Sequence, residues 1–425
     1  MALNQLEPEY VYEDGQFVAG RSVMLEGDTI RAIEPRRDGK ESRVALMSGF
    51  VNAHSHAFQR GMRGQAEVFR GSPGSFFSWR EAMYSLVEGL TEETTYDYSL
   101  QTFNECLAAG FTTVGEFHYI HHGATPWSLD EVVLAAAKDA GIRLVLLQSD
   151  YVRGGEGVEL AGGQRRFDTG SIEAFVASID HLESHLDAST QSIGLVSHSV
   201  RAVEIDRIVA IKHEAARRGL VFHMHVEEVV KEVEATIAEH GCTPMRLLLD
   251  HGVVDATMSA VHCTHSTPED LRDFGAAGGT VCLCPLTEGN LGDGIPNLPV
   301  MRDAKCRVAI GSDLNARLAP LEELRSMEYT ARIANQQRGV WMNEAGSTAA
   351  ALLEVGTRGG AVSLGLNAGE LVPGALADMV AFDLTHPSLQ AVEAEDLAAA
   401  IIFGAGQEAI AGVMVGGTWV LGGID

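Results

Sequence analysis

The sequence predicts an α/β protein: a (β/α)8 TIM-like barrel with a small β domain assembled from both chain termini. Three observations lead there. Ala-rich, helix-like stretches repeatedly end near a glycine and are followed by a short apolar run that closes in polar residues, as in CLAAG then FTTVGEF, AAKDAG then IRLVLLQ, ARRG then LVFHMH, and FGAAGG then TVCLC. Eight such runs can be counted. Both ends of the chain carry a different texture, with short alternating runs around turn pairs. The 425 residues, 46% of them hydrophobic and 21% charged, supply enough apolar side chain for a fold of this size.

In chain order, residues 1–47 read as a β-meander, because Asp14-Gly15 and Gly27-Asp28 sit between short alternating segments. Barrel strands follow near 48–54, 112–117, 142–149, 192–198, 220–225, 259–263, 280–284 and 307–312. Their lack of strict alternation is expected of strands covered on both faces. Glycine just past a helix supplies the left-handed residue that turns the chain back, while MRDAK then CRVAIGSD repeats the unit without one. Helix starts are legible too. Ser128-Leu129-Asp130-Glu131 reads as a capping box, and Thr267-Pro268-Glu269-Asp270 puts proline where its missing N–H costs nothing. ADMVAFDL and AGVMVGGTWVLGG return to short strands, and 398–413 reads as a helix with an adjoining strand. The expected division is 1–47 plus 366–425 for the β domain and 48–365 for the barrel.

Composition excludes several roles. Lys plus Arg total 31 against 58 Asp plus Glu, a net charge of −27 that repels phosphate backbones and anionic membrane surfaces, so neither nucleic acid nor membrane is an expected partner. The N-terminal stretch shows neither a basic n-region nor an apolar h-region, and no apolar run reaches 18 residues, so a soluble cytoplasmic protein is expected. The six cysteines are scattered through apolar stretches and read as reduced thiols, with Cys282 and Cys284 as packing residues.

The chemistry gathers at strand ends. The first barrel run closes in His54-Ser55-His56, whose i, i+2 spacing turns two imidazoles to one side of a strand. Such a pair alone is weak evidence of a metal site. The fifth run, however, closes in His223-Met224-His225, the sixth in His262-Cys263-Thr264-His265, and the eighth in Gly311-Ser312-Asp313. Imidazoles and a carboxylate arriving at one barrel mouth from separate strands would need one another or a metal to be satisfied.

This ordered set resembles the amidohydrolase superfamily, and within it the deaminases that carry one metal ion; the likeness extends over essentially the whole chain. Relatives with two metals use a carboxylated lysine at the end of the fourth strand. Here that strand reads SIGLVSHSV, which implies a single ion. The resemblance assigns the ligands to His54, His56, His225 and Asp313, with Zn2+ the best match to N/O ligands around an open position and Fe2+ the alternative. It gives Glu228 the role of proton shuttle, His262 that of polarising the substrate, and Asp313 that of accepting a proton from the attacking water. Glu227 is expected to face solvent or a helix, and His265 to lie in a loop behind the site.

Further stretches are similar to the formimidoylglutamate deiminase family: His56–Met62, Phe76–Tyr84, Gly115–Tyr119, Ser197–Val203 and Cys284–Gly294. That likeness implies hydrolysis of N-formimino-L-glutamate to the N-formyl product and ammonia, in histidine degradation. The implied substrate contacts are Gln59, Arg80, Tyr119, His198 and Arg201, of which the two arginines suit a dicarboxylate. After Asp313 the chain reads Leu314-Asn315, where many members of the family carry Ser-His. A homodimer is the expected assembly. The rival readings are a deaminase of a guanine or S-adenosylhomocysteine type substrate and a non-catalytic scaffold on the same barrel. The complete ligand set together with Glu228 argues against the scaffold.

Overall fold

The computed structural model of the protein describes residues 4–424 apart from 38–40, 66, 68–73, 75 and 156. The extreme ends of the expected β domain and the Phe77 side chain therefore lie outside the described residues. Six strands precede the barrel: β1 (Asn4–Leu6), β2 (Pro8–Glu13), β3 (Gln16–Ala19), β4 (Arg21–Glu26), β5 (Thr29–Pro35) and β6 (Ser42–Ser48). The barrel strands are β7 (Phe50–Ser55), β8 (Phe111–His118), β9 (Arg143–Asp150), β10 (Gln191–Ser197), β11 (Phe222–Val226), β12 (Met258–His262), β13 (Thr280–Leu283) and β14 (Arg307–Ile310). Three more follow, β15 (Met379–Asp383), β16 (Ile410–Val415) and β17 (Thr418–Gly422).

Strands β7 to β14 pair in sequence order, all parallel, with helices between them. The ring closes at its C-terminal rim, where Ser55 bridges Asp313 and the His56 N–H donates to the Asp313 carbonyl at 3.0 Å. Every residue of β8 and β9 is buried, as a sheet covered on both faces requires. The turns between helix and strand follow the expected glycines: Gly110, Gly141, Gly219 and Gly278 all hold positive φ, between 70° and 93°. Lys305 takes the same left-handed conformation at φ 55° without glycine's freedom, which explains why that repeat looks irregular in sequence. Ala53, Val261, Cys282, Cys284 and Ala309 form a separate buried cluster. Since β7 and β12 are not paired neighbours, these side chains meet across the barrel interior, where the two cysteines pack.

Both termini build the second unit. β6 pairs antiparallel with β15, and a six-stranded sheet runs β17-β16-β15-β6-β2-β3. Asp14 and Gly15, both at positive φ, form the two-residue turn between β2 and β3. The meander expectation needs correction. β2 joins β6 in parallel, whereas β4 and β5 leave for a second, three-stranded sheet with β1. Val11, Val23, Leu25, Ile30, Leu46 and Met379 are buried in one cluster between the two sheets, and a single meander could not cover both apolar faces. The capping box at Ser128 is also absent. Trp127 precedes the helix Ser128–Ala140 at φ 66°, and the Ser128 hydroxyl donates to the Thr125 carbonyl. Asp130, from the same segment, turns inward to pair with His121 at 2.9 Å. At Thr267 the expected cap is present, with Asp270 N–H donating to the threonine hydroxyl at 3.1 Å.

One buried ion pair links the two units. Arg143, the first residue of β9, donates from Nε and Nη2 to the two oxygens of Asp378 at 2.6 and 3.0 Å, and Gly416 N–H donates to the same carboxylate. Removing one partner strands a buried charge. Asp378→Ala should therefore cost about 3–5 kcal/mol of stability, read as a drop in the urea midpoint. A loss below about 1 kcal/mol, the range of an exposed pair, would show that this link is not desolvated.

Candidate active site

The site stands where the ring closes. His54 lies within β7, His56 just beyond it, His225 near the end of β11, His262 at the end of β12, and Asp313 three residues past β14. Two features press Asp313 against the histidine pair. Asn52 donates through Nδ2 to Ser312 Oγ at 2.6 Å and accepts from Ser312 N–H at 3.0 Å, which ties the loop after β14 to the first strand. Gly311 permits the contact: a Cβ there would stand 2.6 Å from His54 Cβ and 2.8 Å from its carbonyl oxygen. Beyond Asp313, Asn315 is buried at φ 57°, accepts from Ser312 Oγ at 2.6 Å and donates to Ser55 Oγ at 3.1 Å.

Four donor atoms converge. His54 Nε2 is 3.2 Å from His225 Nε2 and 3.3 Å from Asp313 Oδ1, and His56 Nε2 is 3.2 Å from the same oxygen. His56 Nδ1 faces the Phe117 carbonyl at 2.7 Å and His225 Nδ1 faces that of His198 at 3.0 Å. Those carbonyls require a proton on each Nδ1, so both rings turn an Nε2 lone pair inward. Burial, reinforced by the neighbouring rings, depresses the pKa of His225 well below the ordinary range and that of His56 to about 3. Asp313 remains ionised: burial opposes its charge, but the His54, His262 and His56 rings hold its carboxyl well below the usual range. Three imidazole nitrogens and a carboxylate oxygen thus converge on one point, a donor set that suits a cation. Among the described residues these four could hold a divalent ion.

His262 sits beside this cluster with an acid on each side. Its Nε2 is 3.6 Å from Glu228 Oε1 and 3.8 Å from Asp313 Oδ2, and its Nδ1 is 3.5 Å from Glu288 Oε1. Burial works against its charge, but Glu228, Glu288 and Asp313 outweigh it and raise the His262 pKa well above the usual value. Glu228 is pushed upward, chiefly by burial, so its carboxyl can hold a proton nearer neutrality than an exposed glutamate. Glu227 turns away, as expected of the helix alternative: its carboxylate accepts at 2.9 Å from the N–H of Met245, at the start of the helix Pro244–Asp250, and from the hydroxyl of Ser266 in the loop after β12. The solvent alternative fails, because Glu227 is fully buried. His265 lies behind the site, donating from Nε2 to the Asp293 carbonyl at 2.8 Å. His223 sits on the same strand as His225 but donates to the Ser363 carbonyl at 2.8 Å, away from the four-atom cluster.

A pocket opens above these groups. His56, His225, Glu228, His262 and Asp313 line it together with Gln59, Arg80, Tyr119, His198 and Arg201, while His54 lies deeper. Gln59 donates from Nε2 to the Tyr119 hydroxyl at 2.9 Å. The His198 ring stands 4.6 Å from the Tyr151 ring and 4.7 Å from that of His225. Burial and then the nearby Arg201 charge keep His198 unprotonated. Arg201 has a buried Nε without a hydrogen-bond partner among the described residues, and its guanidinium stands 5.9 Å from the Phe76 ring centre. Arg80 lies 5.7 Å over Tyr84. Sequence reasoning overlooked Trp79, Tyr84, Tyr151 and Phe167 in the wall. Tyr84 falls within the Phe76–Tyr84 stretch one helical turn beyond Arg80 and could have been found by helical spacing, whereas Trp79 only adjoins Arg80 in the chain; Tyr151 and Phe167 follow β9 in a loop with no such signal.

Comparisons with known proteins fit this geometry. The amidohydrolase family model matches residues 45–420. The formimidoylglutamate deiminase of Pseudomonas aeruginosa is 37% identical over 385 residues, covering 89% of this chain and 84% of that protein. A 5-methylthioadenosine/S-adenosylhomocysteine deaminase of Pelotomaculum thermopropionicum is 26% identical over 97% of this chain and 90% of its own. The crystal structure of an amidohydrolase from Brucella melitensis is similar with a TM-score of 0.91 and 33% identity, covering 99% of this chain and 95% of that one. With its closed parallel barrel and its His/Asp cluster at the C-terminal rim, the chain belongs to the amidohydrolase family, whose members are hydrolytic enzymes.

Proposed function

We propose that the protein is a deiminase that hydrolyses N-formimino-L-glutamate to N-formyl-L-glutamate and ammonia, a step of histidine breakdown. The observation that carries this reading is the presence of two guanidiniums, Arg80 and Arg201, in the same pocket as Glu228, His262 and Asp313. A substrate with two carboxylates and a hydrolysable amidine matches both halves of that wall. Similarity to the Pseudomonas aeruginosa deiminase supports the same assignment.

His54, His56, His225 and Asp313 would hold one divalent ion, with Zn2+ the best match to three nitrogens and one oxygen and Fe2+ the alternative. Such an ion supplies Lewis acidity, which makes water a competent nucleophile near neutral pH. Asp313, kept ionised by the surrounding imidazoles, accepts the proton of the attacking water. His262, charged between Glu228 and Glu288, donates from Nε2 toward the charge that develops on the oxygen added to the reacting carbon. Glu228 carries a proton to the imino nitrogen. Glu228 then takes the remaining proton of the added hydroxyl while Asp313 returns its own to the amine nitrogen, so that the carbon–nitrogen bond breaks, ammonia leaves, and the carbon becomes a formyl group. Arg80 and Arg201 anchor the carboxylates, and Gln59, Tyr119 and His198 orient the chain between them.

The test is an assay of ammonia and formylglutamate in one sample, run beside S-adenosylhomocysteine and guanine. Release of ammonia from the purine substrates alone would sink the proposal. Glu228→Gln should lower turnover by about 10²–10⁴-fold while metal content by elemental analysis stays at the wild-type level; near-normal turnover would remove Glu228 from proton transfer. Arg201→Met should raise KM for the dicarboxylate by about tenfold or more, the loss of one charged hydrogen-bonded contact, with less effect on kcat. An unchanged KM would take Arg201 out of the substrate site.

A further inference from the structure

We propose that Glu288 is a positioning residue for the reaction: from outside the pocket, it holds the His262 ring through Nδ1 so that Nε2 faces the reacting atoms. This rests on the reading of His262 as a participant in the hydrolysis. The His262 imidazole is fully enclosed, and its backbone is turned to φ 75°, with Cys263 following at 53°. Two successive non-glycine residues in the left-handed region are costly and persist where surrounding contacts over-determine them. The ring's two edges meet different groups. On the pocket side Nε2 faces Glu228 and Asp313; on the far side Nδ1 faces Glu288 Oε1 at 3.5 Å.

Glu288 is built to stay there. Its Oε1, the oxygen nearest Nδ1, also accepts from Cys284 N–H at 2.9 Å. Its own N–H donates to the Cys284 carbonyl at 2.9 Å, and its carbonyl accepts from Asp293 N–H at 3.0 Å. The side chain is buried and is not among the groups lining the pocket. Glu288 therefore cannot exchange protons with a substrate as Glu228 can. What it can do is accept from Nδ1–H, which leaves Nε2 as the edge presented to the pocket and fixes the plane of the ring. Carboxylate–imidazole contacts commonly orient a reactive ring in this way. At 3.5 Å the contact is an ion pair, longer than a direct hydrogen bond.

Glu288→Gln is the informative variant, because a glutamine carbonyl can still accept from Cys284 N–H while the negative charge beside Nδ1 is lost. The expected result is a fall in kcat of about tenfold or more, with KM, metal content and thermal midpoint near wild type. Once His262 is replaced by Asn, Glu288→Gln should cost nothing further, so that the His262→Asn, Glu288→Gln double variant is no slower than His262→Asn alone. Protein labelled with 15N-histidine supplies a readout that needs no substrate: a ring N–H resonance lost in His262→Asn should be shifted or lost in Glu288→Gln. Normal kcat in Glu288→Gln, multiplicative losses in the double variant, or an unmoved His262 resonance would each overturn the proposal. Should formiminoglutamate prove not to be the substrate, the resonance still decides the role of Glu288.

Discussion

Four metal-ligating atoms lie within 4.8 Å of one another at the mouth of the barrel, three of their contacts at 3.2–3.3 Å, and much of the surrounding structure serves to keep them there. They are restrained from behind. The Phe117 and His198 carbonyls hold the outer nitrogens of His56 and His225, and Asn52 and Ser312 bind the loop of Asp313 to the strand of His54. This is preorganisation by backbone: the surrounding carbonyls and amides aim the four ligand atoms toward one point.

Around the cluster lies an unusual concentration of buried ionisable groups. Glu228 and Glu232 are both pushed toward the protonated form, mainly by burial, while the His262 and Arg201 charges are sustained by the acids beside them. Burying so many charges is costly, and a protein selected only for stability would replace them with apolar side chains. Perturbed acids and bases facing one pocket are what proton transfer near neutrality requires. The guanidiniums of Arg80 and Arg201 also answer an electrostatic problem. A chain of net charge −27 repels an anionic substrate at a distance, and only a local positive patch can reverse that field within the pocket.

The second unit supports the first barrel strand. β6 ends at Ser48 and β7 begins at Phe50, so the strand carrying His54 leaves directly from the sheet that both termini build. Gly49 N–H donates to the Asp378 carbonyl at 3.0 Å, and the side chain of Asp378 holds Arg143 on β9. The β sheets thereby set the position of two barrel strands from below while the site is assembled above.

Periodicity and glycine placement in the sequence already determined the eight barrel strands, most of their turns and the strand-end residues that carry the chemistry, because parallel strands covered on both faces need continuous apolar runs and helix ends need a left-handed residue. Local pattern was less able to describe the N-terminal strands, where β2 pairs in parallel with a strand thirty residues away and β4 leaves for another sheet. Such pairings are chosen by which apolar faces can be covered together. Ser128 likewise does not cap its helix: its hydroxyl donates to the Thr125 carbonyl, and Asp130 of the same segment turns inward to His121. Composition and spacing do not separate Glu227 from Glu228, adjacent and chemically identical; the family resemblance favours Glu228, and the folded chain sends one to a helix start and the other into the pocket. Tertiary structure alone placed Glu288 behind His262, although twenty-odd residues separate them. The physical reason is common to both cases: what a carboxylate can do depends on its burial and on the groups it faces, and those are properties of the closed barrel rather than of neighbouring residues in the chain.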